Sequence, residues 1–412
     1  MKNSSFVVEG QGGAKKLSGT IAVGGGKNAI LKALAASVLF ADEVRFENVP
    51  GIEDVRRMQE LLEHLTSGPV LKKEVAERFR ASVVLTGPVL ARYGEVTFPF
   101  PGGCVLGERP IDLFLEGFRA MGASVEEGDD LFVLRAPTGK LTGALITFPF
   151  VSVTATETLM LAAVLAEGET VLQNAAMEPE IGHLAEFLNA CGARISGIGT
   201  PTLRIMGGGL LQAAGKTYVT PPDRIETGSF IILAALLGSE VKVVNCEPGH
   251  VGALLTLLSH AGVPLEIGKD SIVVRAPERI RSFSVRTHEY PGFPTDLQAP
   301  IAVLLSQAHG EGTISETIFD GRFRYVDDLV RMGADITMMN PHRILVRGPR
   351  KLTRKNLESP DLRAGLAYIL AVAVAEGTST IENAYVIDRG YERIEERLQT
   401  LGLAIRREQG PT

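Results

Sequence analysis

The sequence predicts an α/β (α+β) protein of two domains, each built from three copies of one unit with buried helices and outer sheets, in a pseudo-sixfold arrangement. Three observations carry this expectation. Glycines that close amphipathic helices recur at a fixed interval, a second helix in each interval is apolar on all sides, and short β-branched strands separate the two.

The repeat is clearest at 169–195, 239–266, 312–336 and 377–406. In each, a strand ends near an asparagine or similar polar residue; an irregular loop, an amphipathic helix, a closing glycine and another strand follow. Gly122, Gly192, Gly262, Gly333 and Gly402 stand 70, 70, 71 and 69 residues apart. Glycine suits a helix end because it enters the left-handed region without Cβ strain. Before Gly122, a helix at 111–121 aligns Ile111, Leu115, Phe118 and Met121 on one face. The copy at 44–65 starts the same way, but Gly68 precedes Gly122 by only 54 residues. That copy is therefore expected to lack a hairpin. The second helices are expected at 27–39, 80–91, 152–167, 223–238, 296–307 and 361–376, and their apolar surfaces mark them as buried. No low-complexity linker divides the chain, and the halves are expected to meet near Pro221 and Pro222.

Composition excludes several function classes. With 412 residues, 45% hydrophobic and 22% charged, the chain can bury more than one core. A net charge of -6 does not favour nucleic-acid or anionic-membrane partners, so an anionic ligand needs a local basic pocket. The apolar run at 366–375 is too short to span a bilayer. Three distant cysteines form no disulfide or metal pattern, and residues 1–13 lack a signal-peptide pattern, so a cytoplasmic location is expected. The seven histidines are scattered, and no metal site is expected. A homo-oligomer remains open.

The polar heads of the apolar helices are the first candidate site. Ser152, Asp223, Asp296 and Asp361 are natural helix caps. Lys27, Arg80, Arg224 and Arg363 are not, because a cation at a helix N-terminus opposes the macrodipole. Their recurrence suggests helix N-termini gathered around a shared anionic ligand. Gly24-Gly25-Gly26-Lys27-Asn28 fails as a nucleotide phosphate loop, since Ile21 and Asn28 occupy positions that need Gly and Ser or Thr. Lys27 still follows three glycines that let an anion approach the backbone. Cys104, in Pro101-Gly102-Gly103-Cys104 with Arg109 close by, has the surroundings of a reactive thiol, whereas Cys191 and Cys246 lie in apolar stretches. Phe293-Pro294-Thr295-Asp296 presents a carboxylate able to orient or deprotonate a hydroxyl. Arg389 sits in the last copy's loop, equivalent to the Cys104 loop of the second.

Six segments, in order, now carry a resemblance: Gly25-Gly26-Lys27-Asn28; the Cys104 loop running into Arg109-Pro110-Ile111-Asp112-Leu113; Pro222-Asp223-Arg224-Ile225-Glu226-Thr227-Gly228; Phe293-Pro294-Thr295-Asp296; Asp361-Leu362-Arg363-Ala364; and Asp388-Arg389-Gly390-Tyr391-Glu392-Arg393-Ile394. From about residue 7 to 407 the chain resembles the UDP-N-acetylglucosamine 1-carboxyvinyltransferase family of enolpyruvyl transferases. The resemblance implies a discontinuous domain, 1–24 plus 222–412, and a second domain, 25–221. It implies transfer of the enolpyruvyl group of phosphoenolpyruvate to the sugar 3-hydroxyl, the first committed step of peptidoglycan precursor synthesis, without a cofactor. Lys27, Asn28, Arg109 and Arg389 would hold phosphoenolpyruvate. Cys104 would be the general acid and the target of fosfomycin, on a loop that closes as a lid, and Asp296 would take or orient the hydroxyl proton. Arg80, Arg109, Pro110, Ile111, Asp112, Leu113, Ser152, Val153, Asp296 and Ile318 would line the nucleotide-sugar site, with Arg224, Arg322 and Arg363 as helpers. Four positions depart from the family pattern: Lys32 replaces a usual proline, Phe150 a lysine, Thr154 a glycine and Met177 an arginine. The alternatives are a 5-enolpyruvylshikimate-3-phosphate synthase-like transferase and a non-catalytic nucleotide-sugar-binding paralogue.

Overall fold

A computed structural model describes residues 4–100, 102 and 111–409. Residues up to Gly24 and from Pro222 onward form one compact unit; the described residues between Gly25 and Pro221 form another. Each unit encloses its own hydrophobic core.

The predicted apolar helices are all present. We name them α1 (Lys27–Ala36), α2 (Thr86–Tyr93), α3 (Val153–Ala163), α4 (Arg224–Leu237), α5 (Gln298–Gln307) and α6 (Leu362–Val374). Almost every residue of α4, α5 and α6 is buried, as helices without a polar face must be. Two start later than expected. Tight 3-10 turns, Arg80–Leu85 and Thr295–Leu297, occupy the predicted first turns of α2 and α5.

Sheets cover these helices, and one topology recurs. Three four-stranded sheets of the first unit each join one parallel pair to two antiparallel neighbours. The second unit has one such sheet, Leu145–Thr147, Glu169–Gln173, Thr202–Met206 and Ile195–Ser196. Its second sheet keeps the antiparallel strands, and Val70 makes a single parallel bridge to Thr97. Its third is only a parallel pair, Arg45–Glu47 with Thr217–Val219. After the Glu53–His64 helix the chain enters a short helix, Lys73–Ala76, instead of a hairpin. The shortened spacing before Gly122 has this loss as its cause.

Two devices recur among the copies. Gly122, Gly192, Gly262, Gly333 and Gly402 all have φ between 89° and 109°, the left-handed region their spacing predicts. Asn48, Asn174 and Asn245 end strands with φ of 53° to 56°. Their side-chain amides donate to the carbonyls of Thr220, Phe148 and Val23, so each asparagine both turns the chain and ties down a neighbouring segment.

Candidate active site

Three of the four proposed caps behave as caps. Ser152 accepts the Ala155 N–H at 3.2 Å; Asp223 accepts those of Ile225 and Glu226 at 2.8 and 3.0 Å; Asp361 accepts those of Arg363 and Ala364 at 2.8 and 3.0 Å. Asp296 does not. Its side chain makes no cap bond and is gripped by two guanidiniums, Arg322 at 2.8 Å and Arg363 at 2.9 Å. Both arginines are buried, while about a quarter of the Asp296 side chain stays accessible (24%). Burial alone would raise the Asp296 carboxyl. The Arg363 and Arg322 charges, with Arg224 close behind, reverse that and hold it far below the usual carboxylate range. The same pairing explains why a cation is tolerated at the head of α6. Arg363 opposes the helix dipole but is neutralised by Asp296 and bonded to the Tyr391 hydroxyl at 3.0 Å.

Glu316, which sequence reasoning passed over, fixes the surroundings of Asp296. It is 2% exposed and accepts hydrogen bonds from Thr287, Thr295 and the backbone N–H groups of Ile318 and Phe319. The residue before Asp296 and the candidate Ile318 are thus tied to one carboxylate. Glu226 is a second omission. Arg397 grips it with two bonds of 2.6 and 2.9 Å, and it also accepts the Gly24 N–H at 2.8 Å. Its position in a capping motif hid this role. A cavity of about 250 Å3 shares Pro294 and Leu297 with the Asp296 turn, but its remaining walls hold no candidate residue.

In the other unit, Lys27 opens α1 and pairs with Asp54 at 2.8 Å, the aspartate being 2% exposed. Asp54 lies in the first turn of the next helix and reads as a dipole-compensating acid, so nothing local marks it as Lys27's partner. Arg80 opens the 3-10 turn that packs on α1. Asn28 follows Lys27 on the same first turn, and Val153 follows the Ser152 cap. Ile111 is buried, Asp112 and Leu113 open the helix Asp112–Ala120, and this helix packs on α3. Arg389 lies half-buried in the turn between two short helices, Ala384–Ile387 and Ile394–Gln399. Cys104, Arg109 and Pro110 lie outside the described residues.

Of the departing positions, Lys32 is the informative one. It is buried on α1 and pairs with Glu157 of α3 at 3.2 Å. Burial, with Glu180 and Glu178 nearby, outweighs Lys32 and pushes the Glu157 carboxyl up to about 7. Phe150 is exposed and Met177 and Thr154 are half-buried.

Comparison with known proteins decides the family. The sequence family described as EPSP synthase (3-phosphoshikimate 1-carboxyvinyltransferase) matches residues 12–398. UDP-N-acetylglucosamine 1-carboxyvinyltransferase from Acidobacterium capsulatum is 43% identical over 98% of this chain and 95% of its own. Those from Caldanaerobacter subterraneus and Solibacter usitatus are 41% and 42% identical over 98% and 96% of this chain, and over 99% and 98% of their own. This chain belongs to the UDP-N-acetylglucosamine 1-carboxyvinyltransferase family. Solved structures agree on the fold. The enolpyruvyl transferase NikO from Streptomyces tendae superposes with a TM-score of 0.86 at 22% identity over both whole chains. EPSP synthase from Acinetobacter baumannii gives 0.74 at 17%, over 99% of this chain and all of its own. The expected fold is thus present, and among the described residues no helix is long and apolar enough to cross a membrane.

Proposed function

We propose that this chain transfers the enolpyruvyl group of phosphoenolpyruvate to the 3-hydroxyl of UDP-N-acetylglucosamine and releases phosphate. The observation that carries the reading is 41–43% identity, over nearly the whole chain, to proteins bearing that activity in their names. The Asp296 cluster supports it from the chemistry.

In this reading, Lys27, Asn28, Arg109 and Arg389 surround the carboxylate and phosphate of phosphoenolpyruvate. The Lys27–Asp54 pair holds the ammonium in place. Cys104 donates a proton to the methylene carbon while the sugar oxygen bonds to the neighbouring carbon and its hydroxyl proton passes to Asp296. The tetrahedral adduct then returns a proton from the new methyl group to the Cys104 thiolate as its carbon–oxygen bond to phosphate breaks and phosphate leaves. Asp296 orients the 3-hydroxyl: a carboxylate gripped by two arginines is a weak proton acceptor but a strong hydrogen-bond acceptor. Full proton transfer to Asp296 requires Arg322 or Arg363 to loosen. Arg80, Arg109, Pro110, Ile111, Asp112, Leu113, Ser152, Val153 and Ile318 line the nucleotide-sugar site, and fixed charges stabilise the transition state.

Phosphate release from phosphoenolpyruvate, measured with each acceptor in turn, tests the reading. Release with UDP-N-acetylglucosamine and none with shikimate 3-phosphate is expected; the reverse contradicts it. Binding of UDP-N-acetylglucosamine without release would favour the non-catalytic paralogue, whose support is the loss of basic residues at Phe150 and Met177.

A further inference from the structure

We propose that Tyr391 is a positioning residue for Asp296, its hydroxyl holding the Arg363 guanidinium in the orientation that grips the carboxylate. The inference rests on the role given to Asp296 above.

Tyr391 is 1% exposed, and a residue that only fills a core needs no hydroxyl. Here the hydroxyl receives Arg363 Nη1 at 3.0 Å, with Ser229 of α4 as its second polar neighbour. Arg363 directs its other terminal nitrogen, Nη2, to Asp296 Oδ2 at 2.9 Å. A guanidinium is planar and rigid, so bonds from its two terminal nitrogens fix both its place and its rotation. The Tyr391 ring adds to this, with the guanidinium carbon 5.7 Å from its centroid. The guanidinium is closed off from solvent, so loss of the hydroxyl would leave Nη1 with no water to donate to in its place.

The turn before Tyr391 is fitted to the same helix head. A Cβ on Gly390 would lie 2.7 Å from Leu362, and one on Gly365 would lie 2.6 Å from Ile387. These two glycines let the turn and the first turns of α6 meet. From the other side, Arg407 holds Asp388 with bonds of 2.8 and 2.7 Å. Arg389 therefore stands between two anchored neighbours, Asp388 and Tyr391. The residue assigned to phosphoenolpyruvate and the arginine that grips Asp296 share one rigid frame.

The test compares wild type with Tyr391→Phe, which removes the hydroxyl and keeps the ring, and with Tyr391→His, which retains a hydrogen-bonding nitrogen. For the Phe variant, kcat is expected to fall about tenfold. The acid limb of its pH profile should move to higher pH as Asp296 loses a clamp, while KM for phosphoenolpyruvate changes less than about twofold. The His variant is expected to recover part of the rate. An unchanged kcat and pH profile, or a rise in the phosphoenolpyruvate KM alone, overturns the inference. A crystal structure of Tyr391→Phe decides the point without turnover: Arg363 is expected to leave Asp296, and its retention at the wild-type distance refutes the positioning role. Failure of wild type to use UDP-N-acetylglucosamine would refute the proposed function instead, and the variant's structure would still answer for Tyr391.

Discussion

The chain holds two charge clusters along its apolar helices, and they do opposite things to a carboxylate. Around Asp296 the surplus is positive: Arg322 and Arg363 touch it and Arg224 lies close, so the carboxyl stays ionised. Around Glu157 the surplus is negative: one ammonium, Lys32, faces Glu157 with Glu178 and Glu180 near, and the carboxyl holds its proton to about 7. Burial acts in the same direction on both. The sign of the remaining charge decides whether a carboxylate stays ionised or holds its proton toward neutral pH. Asp296 belongs to the first kind, Glu157 to the second.

Removing the charge at each centre should have very different consequences. Asp296→Asn leaves two buried guanidiniums without their acid, and a transfer rate about 1,000-fold lower is expected in a phosphate-release assay. A loss of about 3 kcal/mol of stability should accompany it in denaturant titrations. Undiminished turnover would show that Asp296 only anchors the arginines.

Glu157→Gln should be far milder in turnover and visible in the pH dependence of stability. Glu157 binds its proton more tightly when folded, near 7, than when unfolded, near 4.5. Its contribution is complete below about 4.5 and is lost as pH rises through about 7, a change of up to about 3 kcal/mol. Urea unfolding across that window should show a slope in the wild type that flattens in the variant. Equal slopes would mean that Lys32 keeps Glu157 ionised after all.

The contrast extends to the thiols. Cys191 and Cys246 are 4% and 1% exposed, and burial raises both thiols, Cys246 to about 11. Fosfomycin should therefore label Cys104 and leave both untouched, as read by peptide mass spectrometry. Label on Cys191 or Cys246 alone would displace Cys104 from its role. The smallest effect belongs to the true caps: Asp361→Ala should cost about 1 kcal/mol in thermal unfolding, and a loss as large as that of Asp296→Asn would erase the distinction between a cap and a clamp.

What could be read from the sequence followed from what is periodic. Closing glycines, apolar helices and the shortened copy before Gly122 all reappear, because left-handed caps and all-apolar helices leave marks within a few residues. Asp296 and Lys27 were legible as charged residues at helix heads. Their pairing was not, because Asp54, Arg322 and Arg363 meet them through folding across long sequence separations. Glu316 and Tyr391 were hidden for a related reason: one sits at a strand end and the other in a core, where glutamate and tyrosine are ordinary. Lys32 stood out in sequence only as an unusual replacement; its meaning required seeing Glu157 opposite it.

Whether this chain passes the enolpyruvyl group to UDP-N-acetylglucosamine is read from its choice of acceptor. Purified protein is given phosphoenolpyruvate with UDP-N-acetylglucosamine or with shikimate 3-phosphate, and released phosphate is followed over time. Continuous release with the nucleotide-sugar alone is predicted. Release only with shikimate 3-phosphate, or with neither acceptor, would rule out that activity.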